Sequence, residues 1–223
     1  MPSALRAEVR GRGRRAVLDA LRQRAEALHP RGREAAVDSE WRARWFALAE
    51  DADRLSDGAY FIRTRHALAW FKDGHTTLLP FEFTGGVPEP LAHGPFALTL
   101  PIAVRAFHDG AYVTSAKDEG LPLMGTRISS VGAMEVSALF RAWATSWPGN
   151  DAWAHRWAGT MFSPAFLQAL GAASDPAAPL KVEATLDGRR VAATLLPRAD
   201  GNANLQPLQR KKTQVELWSD AAG

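Results

Sequence analysis

The chain has 223 residues, 46% of them hydrophobic and 23% charged, the composition of an ordinary soluble globular protein with enough apolar mass for one large domain or two small ones. Lys and Arg number 27 against 24 Asp and Glu, a net charge of +3, so the charge balance gives no argument for a nucleic-acid partner. The absence of cysteine excludes disulfides, thiolate chemistry and Cys-based zinc sites.

Arg6, Arg10, Arg12, Arg14 and Arg15 crowd the start of the chain and read as a frayed or wrongly assigned lead-in to the first helix, the alternative being an arm for nucleic acid or a membrane surface. No apolar run approaches the roughly 18–20 residues of a membrane-spanning helix. The N-terminus lacks the apolar core of a secretory signal, so the chain as written is expected in the cytoplasm. A true start further upstream with a signal peptide would make it periplasmic or secreted.

The first stretch, to about Pro80, reads as helical. Val17, Leu18, Leu21, Ala25 and Leu28 recur at helical spacing over Ala16 to Leu28, and His29-Pro30 ends that element. Asp38 or Ser39 caps a second helix through about Asp51, with Trp41, Trp45, Phe46 and Leu48 on its apolar face. Ser56 or Asp57 opens a third, which runs through Phe61, Ile62, Leu68 and Phe71 to Lys72. Helices this short need one another's apolar faces, so a small bundle is expected. Residues 81–95 then gather Gly85-Gly86, Pro88, Pro90, Gly94 and Pro95, the punctuation of a linker.

From about Phe96 to Pro197 strands and helices mix. Leu98 to Phe107 and Ala111 to Ser115 flank an Asp109-Gly110 hairpin signal. Gly125 to Val131 reads as a short strand, and Glu135 to Trp147 as an amphipathic helix stopped by Pro148-Gly149. Two further short helices divide near Ser163-Pro164. Val182 to Leu186 and Arg190 to Leu195 form a second hairpin around Asp187-Gly188. The tail after Arg198 carries only a weak strand-like run, Gln214 to Trp218, and no packed unit is expected there. The fold class is therefore α+β: a helical cap over 1–80, a linker over 81–95, a β-rich domain over 96–197 with a helical insertion at about 150–175, and a tail over 198–223.

Asp73-Gly74-His75-Thr76 follows the aromatic-rich third helix. Well downstream comes Gly120-Leu121-Pro122-Leu123-Met124-Gly125-Thr126-Arg127-Ile128-Ser129-Ser130-Val131-Gly132, then a helix, then a hairpin centred on Asp-Gly. Together these resemble the cap and PDZ-like region of the carboxy-terminal-processing (tail-specific, tricorn-core-like) serine peptidases, over roughly Leu18 to Pro197. Thr126 departs from the Asp usual after that glycine. The resemblance implies a PDZ-like domain after the cap. It also implies that the nucleophilic serine, its oxyanion hole and its Lys or Glu partner belong to a further core domain, of which residues 198–223 would be at most the start.

By this resemblance His75 is the candidate general base for that serine, with Asp73 as a residue that can orient it. An imidazole titrates near neutrality and a tight turn can hold it rigidly. The local residues also admit a purely structural reading, in which Gly74 is a left-handed helix cap and His75 complements the helix dipole. Both stand at this point. Ser115, Ser129 and Ser130 lie on expected strands rather than on a strained strand-to-helix turn, so the chain alone is not expected to form an acyl-enzyme.

A PDZ-like domain binds extended peptide C-termini by strand addition. The expected groove lies between the strand at Tyr112, Val113 and Thr114 and the helix carrying Val136 and Leu139, and its expected partners are protein or peptide C-termini. Trp143 and Trp147, and Trp153 and Trp157, are paired at four-residue spacing. They serve either to pack the helical insertion or, if exposed, to dock a partner such as a separate core domain. The six histidines show no paired ligand spacing, and neither metal nor cofactor is expected. The alternatives to a peptidase part are a stand-alone module for C-terminal peptides, a truncated remnant, and assembly in trans with a serine-bearing polypeptide.

Overall fold

The computed structural model describes residues 13–79, 81–84, 87–90, 96–202 and 204–207. Its first part is helical: α1 (Arg14–Leu28), α2 (Gly32–Val37), α3 (Ser39–Asp51) and α4 (Asp57–Leu68). The capping signals act as read. Asp38 accepts the Trp41 amide at 2.8 Å and the Trp70 indole N–H at 3.0 Å, and Ser56 accepts the Ala59 amide at 3.3 Å. The short α2, which the periodicity did not announce, fits between His29-Pro30 and the Asp38 cap.

Leu18, Trp41, Trp45, Leu48, Leu68 and Phe71 bury together as the core of this unit. Trp41 lies wholly inside, its indole N–H donating to Glu26 at 2.8 Å. A buried indole usually finds a hydrogen-bond partner for its N–H, as this one does.

The segment expected as a linker contains an antiparallel hairpin, β1 (Phe81–Thr84) with β2 (Val87–Pro90). Two prolines in β2 did not forbid it, because a two-stranded ribbon leaves each strand one edge that needs no amide donor.

Beyond it stands an antiparallel sheet ordered β3-β4-β5-β7-β8, with β3 (Ile102–Phe107), β4 (Gly110–Ala116), β5 (Arg127–Val131), β7 (Leu180–Leu186) and β8 (Arg189–Leu195). The short β6 (Met134–Glu135) pairs with β5, and β9 (Gln206–Pro207) pairs with the end of β4. Both hairpins fall where the Asp-Gly signals put them, over Asp109-Gly110 and Asp187-Gly188. The chain is thus an α+β fold, helices first and antiparallel strands after.

Thr126, the departure from the usual Asp, is fully buried and donates its hydroxyl to the Leu123 carbonyl at 2.7 Å. The Thr126 hydroxyl therefore makes a turn contact of its own at this position. Part of the tail also belongs to the sheet, contrary to expectation. Thr99 and Arg198 form a β-bridge, and both Glu119 oxygens accept from Arg198 at 2.5 Å. Gln214 to Trp218 lies outside the described residues.

One face of the sheet is covered by α5 (Val136–Ala144), α6 (Asp151–Trp157), a 3-10 turn (Ala158–Phe162) and α7 (Pro164–Ala169). Val136, Leu139 and Trp143 share one face of α5 and bury in the same core as Val113, Ile128 and Val182. The tryptophans pack rather than protrude. Trp143 and Trp147 are buried, and Trp147 stacks on Trp157 with rings 6.4 Å apart at 8°.

Helix α4 serves both cores, Ile62 facing the sheet core and Ala67 and Leu68 the cap core. It crosses α7 closely at Gly58, where an added Cβ would lie 2.3 Å from the Ala165 carbonyl oxygen. Its Arg65 is fully buried between the rings of Trp143 and Trp147, 4.0 and 4.5 Å from their centroids, and donates twice to the Ser146 hydroxyl at 2.7 and 3.2 Å.

Candidate functional site

The Asp73–Thr76 turn sits where α4 ends. A 3-10 turn over Ala69–Phe71 extends the helix, and Lys72 enters the left-handed region at φ 54°, which stops it. The left-handed cap is therefore Lys72 and not Gly74, so the structural reading that reserved Gly74 for the cap is corrected. What Gly74 provides is room. A Cβ there would meet the Trp153 indole nitrogen at 3.0 Å.

The Asp73 carboxylate organises the turn. Its Oδ1 accepts the His75 amide at 3.0 Å and lies 3.3 Å from the His75 Nδ1; its Oδ2 accepts the Thr76 hydroxyl at 2.7 Å. The His75 amide, followed by the Thr76 hydroxyl, holds the carboxyl below the usual aspartate range. Asp73 is therefore an anion at neutral pH. The imidazole of His75 is 87% exposed, with the Trp153 ring edge-on at 5.9 Å. The two candidate site residues thus meet: Nδ1 lies beside the carboxylate, and His75 lines an open cleft.

That cleft encloses about 380 Å³. Leu21, Ala25 and Leu28 of α1 line it together with Asp73, His75 and Leu78. His29, at the end of α1, closes the back of the turn. Its ring packs on Phe71 at 3.9 Å, its Nδ1 accepts the Arg31 amide at 3.0 Å, and its Nε2 lies 3.6 Å from Asp73 Oδ2. An imidazole with Nδ1 on a carboxylate and Nε2 open is arranged to take a proton from a hydroxyl presented at Nε2. Among the described residues no serine hydroxyl hydrogen-bonds to His75. Ser129 and Ser130 are engaged elsewhere, donating to the Glu183 carbonyl at 2.9 Å and its carboxylate at 3.4 Å.

The expected peptide groove is not where the pattern put it. Strand β4 lies between β3 and β5, with β9 against its far end, so Tyr112, Val113 and Thr114 offer no open edge. Val113 and Leu139 are wholly buried, and Val136 nearly so. Tyr112 donates its hydroxyl to Asp109 at 2.8 Å, and Thr114 donates to the Ala103 carbonyl at 3.3 Å. The apolar alternation that suggested a groove is the alternation of a core strand packed under a core helix.

The terminal strands of the main sheet are β8 and, at the other end, β3. An apolar cleft of about 340 Å³ runs beside it, walled by Phe96, Leu100, Val104, Trp157 and Phe162. His29, Thr76 and the cleft beside β3 were not picked out by sequence, and Trp153 was read only as a packing or docking ring. Thr76 stood inside the four-residue motif and could have been, as a hydroxyl one turn from Asp73.

Among the described residues no group of three or more His, Cys, Asp or Glu side chains converges to hold a metal ion, and no helix is long and apolar enough to cross a membrane. Comparisons with protein-family models, with curated proteins and with solved structures return no match for this chain.

Proposed function

We propose that the chain is the cap and substrate-recognition part of a tail-specific serine endopeptidase, in which His75 is the general base and the nucleophilic serine comes from outside the described residues. The observation that carries this reading is the Asp73–His75 pair, with Nδ1 at 3.3 Å from the carboxylate and an imidazole 87% exposed. A base that must meet a serine of another domain has to be exposed, and this imidazole is exposed with its Nδ1 beside a carboxylate. In this reading Asp73 orients His75, and peptide C-termini are captured with their apolar side chains in the cleft beside β3.

The test has two arms. The purified chain, alone, hydrolyses no fluorogenic peptide. Mixed with a serine-bearing core domain of the tail-specific class, it restores cleavage of peptides with an apolar C-terminus, and His75→Ala abolishes that restored activity. Undiminished activity in the His75→Ala mixture rules His75 out, and robust cleavage by the chain alone refutes the whole reading. A stand-alone binding role keeps peptide affinity, lost when the peptide carboxylate is amidated, without cleavage in any mixture.

A further inference from the structure

The register of the main sheet sets one row of side chains across its long strands: Arg105 on β3, Tyr112 on β4, Arg127 on β5, Thr185 on β7 and Arg190 on β8. Residues paired across strands share a face. Val113, Ile128 and Ala184, each one position further along its strand, pack into the helix-covered core, so the row lies on the opposite face. All three arginines are exposed, and successive ones stand two strands apart, about 10 Å. The nearly balanced charge of the whole chain hides this local arrangement.

Among the described residues none of the three guanidiniums has a hydrogen bond or an ion pair. The carboxylates that flank the row are engaged elsewhere. Asp109 accepts the Tyr112 hydroxyl at 2.8 Å, and Glu183 is paired with Lys181 at 2.5 Å. Aromatic rings stand among the cations. Phe107 is 45% exposed and meets Tyr112 edge-on, with centroids 5.7 Å apart. Arg127 lies across Gly110, the register partner of Phe107, where a Cβ would come within 2.5 Å of its Nε. A cleft of about 470 Å³ opens beside Phe107 and Arg127, lined also by Phe140 and His155, whose rings are 4.4 Å apart.

We propose that this face binds single-stranded nucleic acid, the three arginines taking phosphates while Phe107 and Tyr112 stack on bases. Charge alone would suit any polyanion. The exposed rings decide among them, because a single strand offers flat base faces beside its phosphates, whereas an acidic protein segment offers charge only and a duplex keeps its bases stacked inside. The cleft has room for an unstacked base between rings, and the Glu135 carboxylate on its lining keeps a phosphate out. This binding role is separate from the peptidase reading and does not rest on it.

The test is fluorescence anisotropy of a labelled oligothymidylate of about 12 nucleotides, titrated with the full chain at several salt concentrations. Three phosphate contacts to a single strand contribute about −2 to the slope of log K against log salt. Each of Arg105→Gln, Arg127→Gln and Arg190→Gln is expected to flatten that slope by about 0.7, and the triple variant by about 2. Arg33→Gln, an exposed arginine on α2, is expected to leave it unchanged. Phe107→Ala is expected to weaken binding about tenfold at every salt concentration without altering the slope. No binding at about 50 mM salt, or a triple variant with the wild-type slope, overturns the proposal. Undiminished binding by Phe107→Ala, with polyglutamate displacing the oligonucleotide equally well from both proteins, overturns it in favour of an acidic protein partner.

Discussion

Arg65 offers the sharpest energetic test of how the two cores are joined. It is fully buried with no carboxylate beside it among the described residues, and burial pulls its pKa down from the ordinary guanidinium range to about 9, a penalty on the charged form of ~5 kcal/mol. Even so lowered, it stays protonated at neutral pH. Two desolvated indole faces at 4.0 and 4.5 Å return ~2 kcal/mol each, and hydrogen bonds from a charged donor to Ser146 add ~2 kcal/mol. Gains and penalty roughly balance, so Arg65→Met, similar in volume and uncharged, should change stability by no more than ~1 kcal/mol. Ser146→Ala behaves differently, because it leaves the buried cation without its acceptor. It should cost ~2–3 kcal/mol with Arg65 present and under ~1 kcal/mol with Met in its place. Urea unfolding followed by fluorescence of the 8 tryptophans measures all four corners of this double-mutant cycle. A coupling energy below ~0.5 kcal/mol would refute the claim that Ser146 compensates the guanidinium.

Three other outcomes follow from the packing. Leu139→Ala, at a wholly buried site, should cost ~2–5 kcal/mol by urea unfolding; a loss under ~1 kcal/mol would restore the groove first expected on α5. Gly58→Ala pushes a methyl to 2.3 Å from the Ala165 carbonyl oxygen and should lower stability by ~1–3 kcal/mol, seen as a drop in thermal midpoint. Glu119 feels opposed influences: burial raises its pKa, but the Arg198 guanidinium and the Leu196 amide outweigh it and leave the pKa lowered. A carboxylate with a depressed folded pKa stabilises above the unfolded value, 4.5, and loses that contribution as pH falls through the folded one. The stability gap between wild type and Glu119→Gln should therefore be open at neutral pH and close in acid, and a gap independent of pH would count against the Glu119–Arg198 clasp.

Local signals in the sequence are legible where one short-range contact decides the structure. The Asp38 and Ser56 caps, the two Asp-Gly hairpins and the Ser163-Pro164 helix start each depend on neighbours a few residues away. Errors arose where the decision is tertiary. The alternation on β4 marks a half-buried strand, but no pattern says whether its edges are paired, and β9 returns from the far end of the chain to cover one of them. Lys72 took the left-handed position usually given to glycine because the aromatic pair Trp70 and Phe71, fixed in the cap core, sets where the helix must stop.

The site itself divides along the same line. The contacts of Asp73 with the His75 amide and the Thr76 hydroxyl span two or three residues, so the motif alone encodes them. A turn of this kind would form wherever the four residues occur, and by itself it would leave His75 on a loop free to swing. Distant elements stand around it: His29 from the end of α1 behind the carboxylate, and Trp153 from α6 beside the imidazole. Those elements are held by α4, whose Arg65 and Ile62 engage the sheet core while Leu68 engages the cap. The orientation of His75 is therefore coupled to the seam between the cores. Gly58→Ala, though far from the cleft in sequence, should broaden the His75 imidazole resonances as α4 shifts against α7. Sharp, unshifted His75 signals in that variant would show that the turn is held by its own four residues and needs neither core.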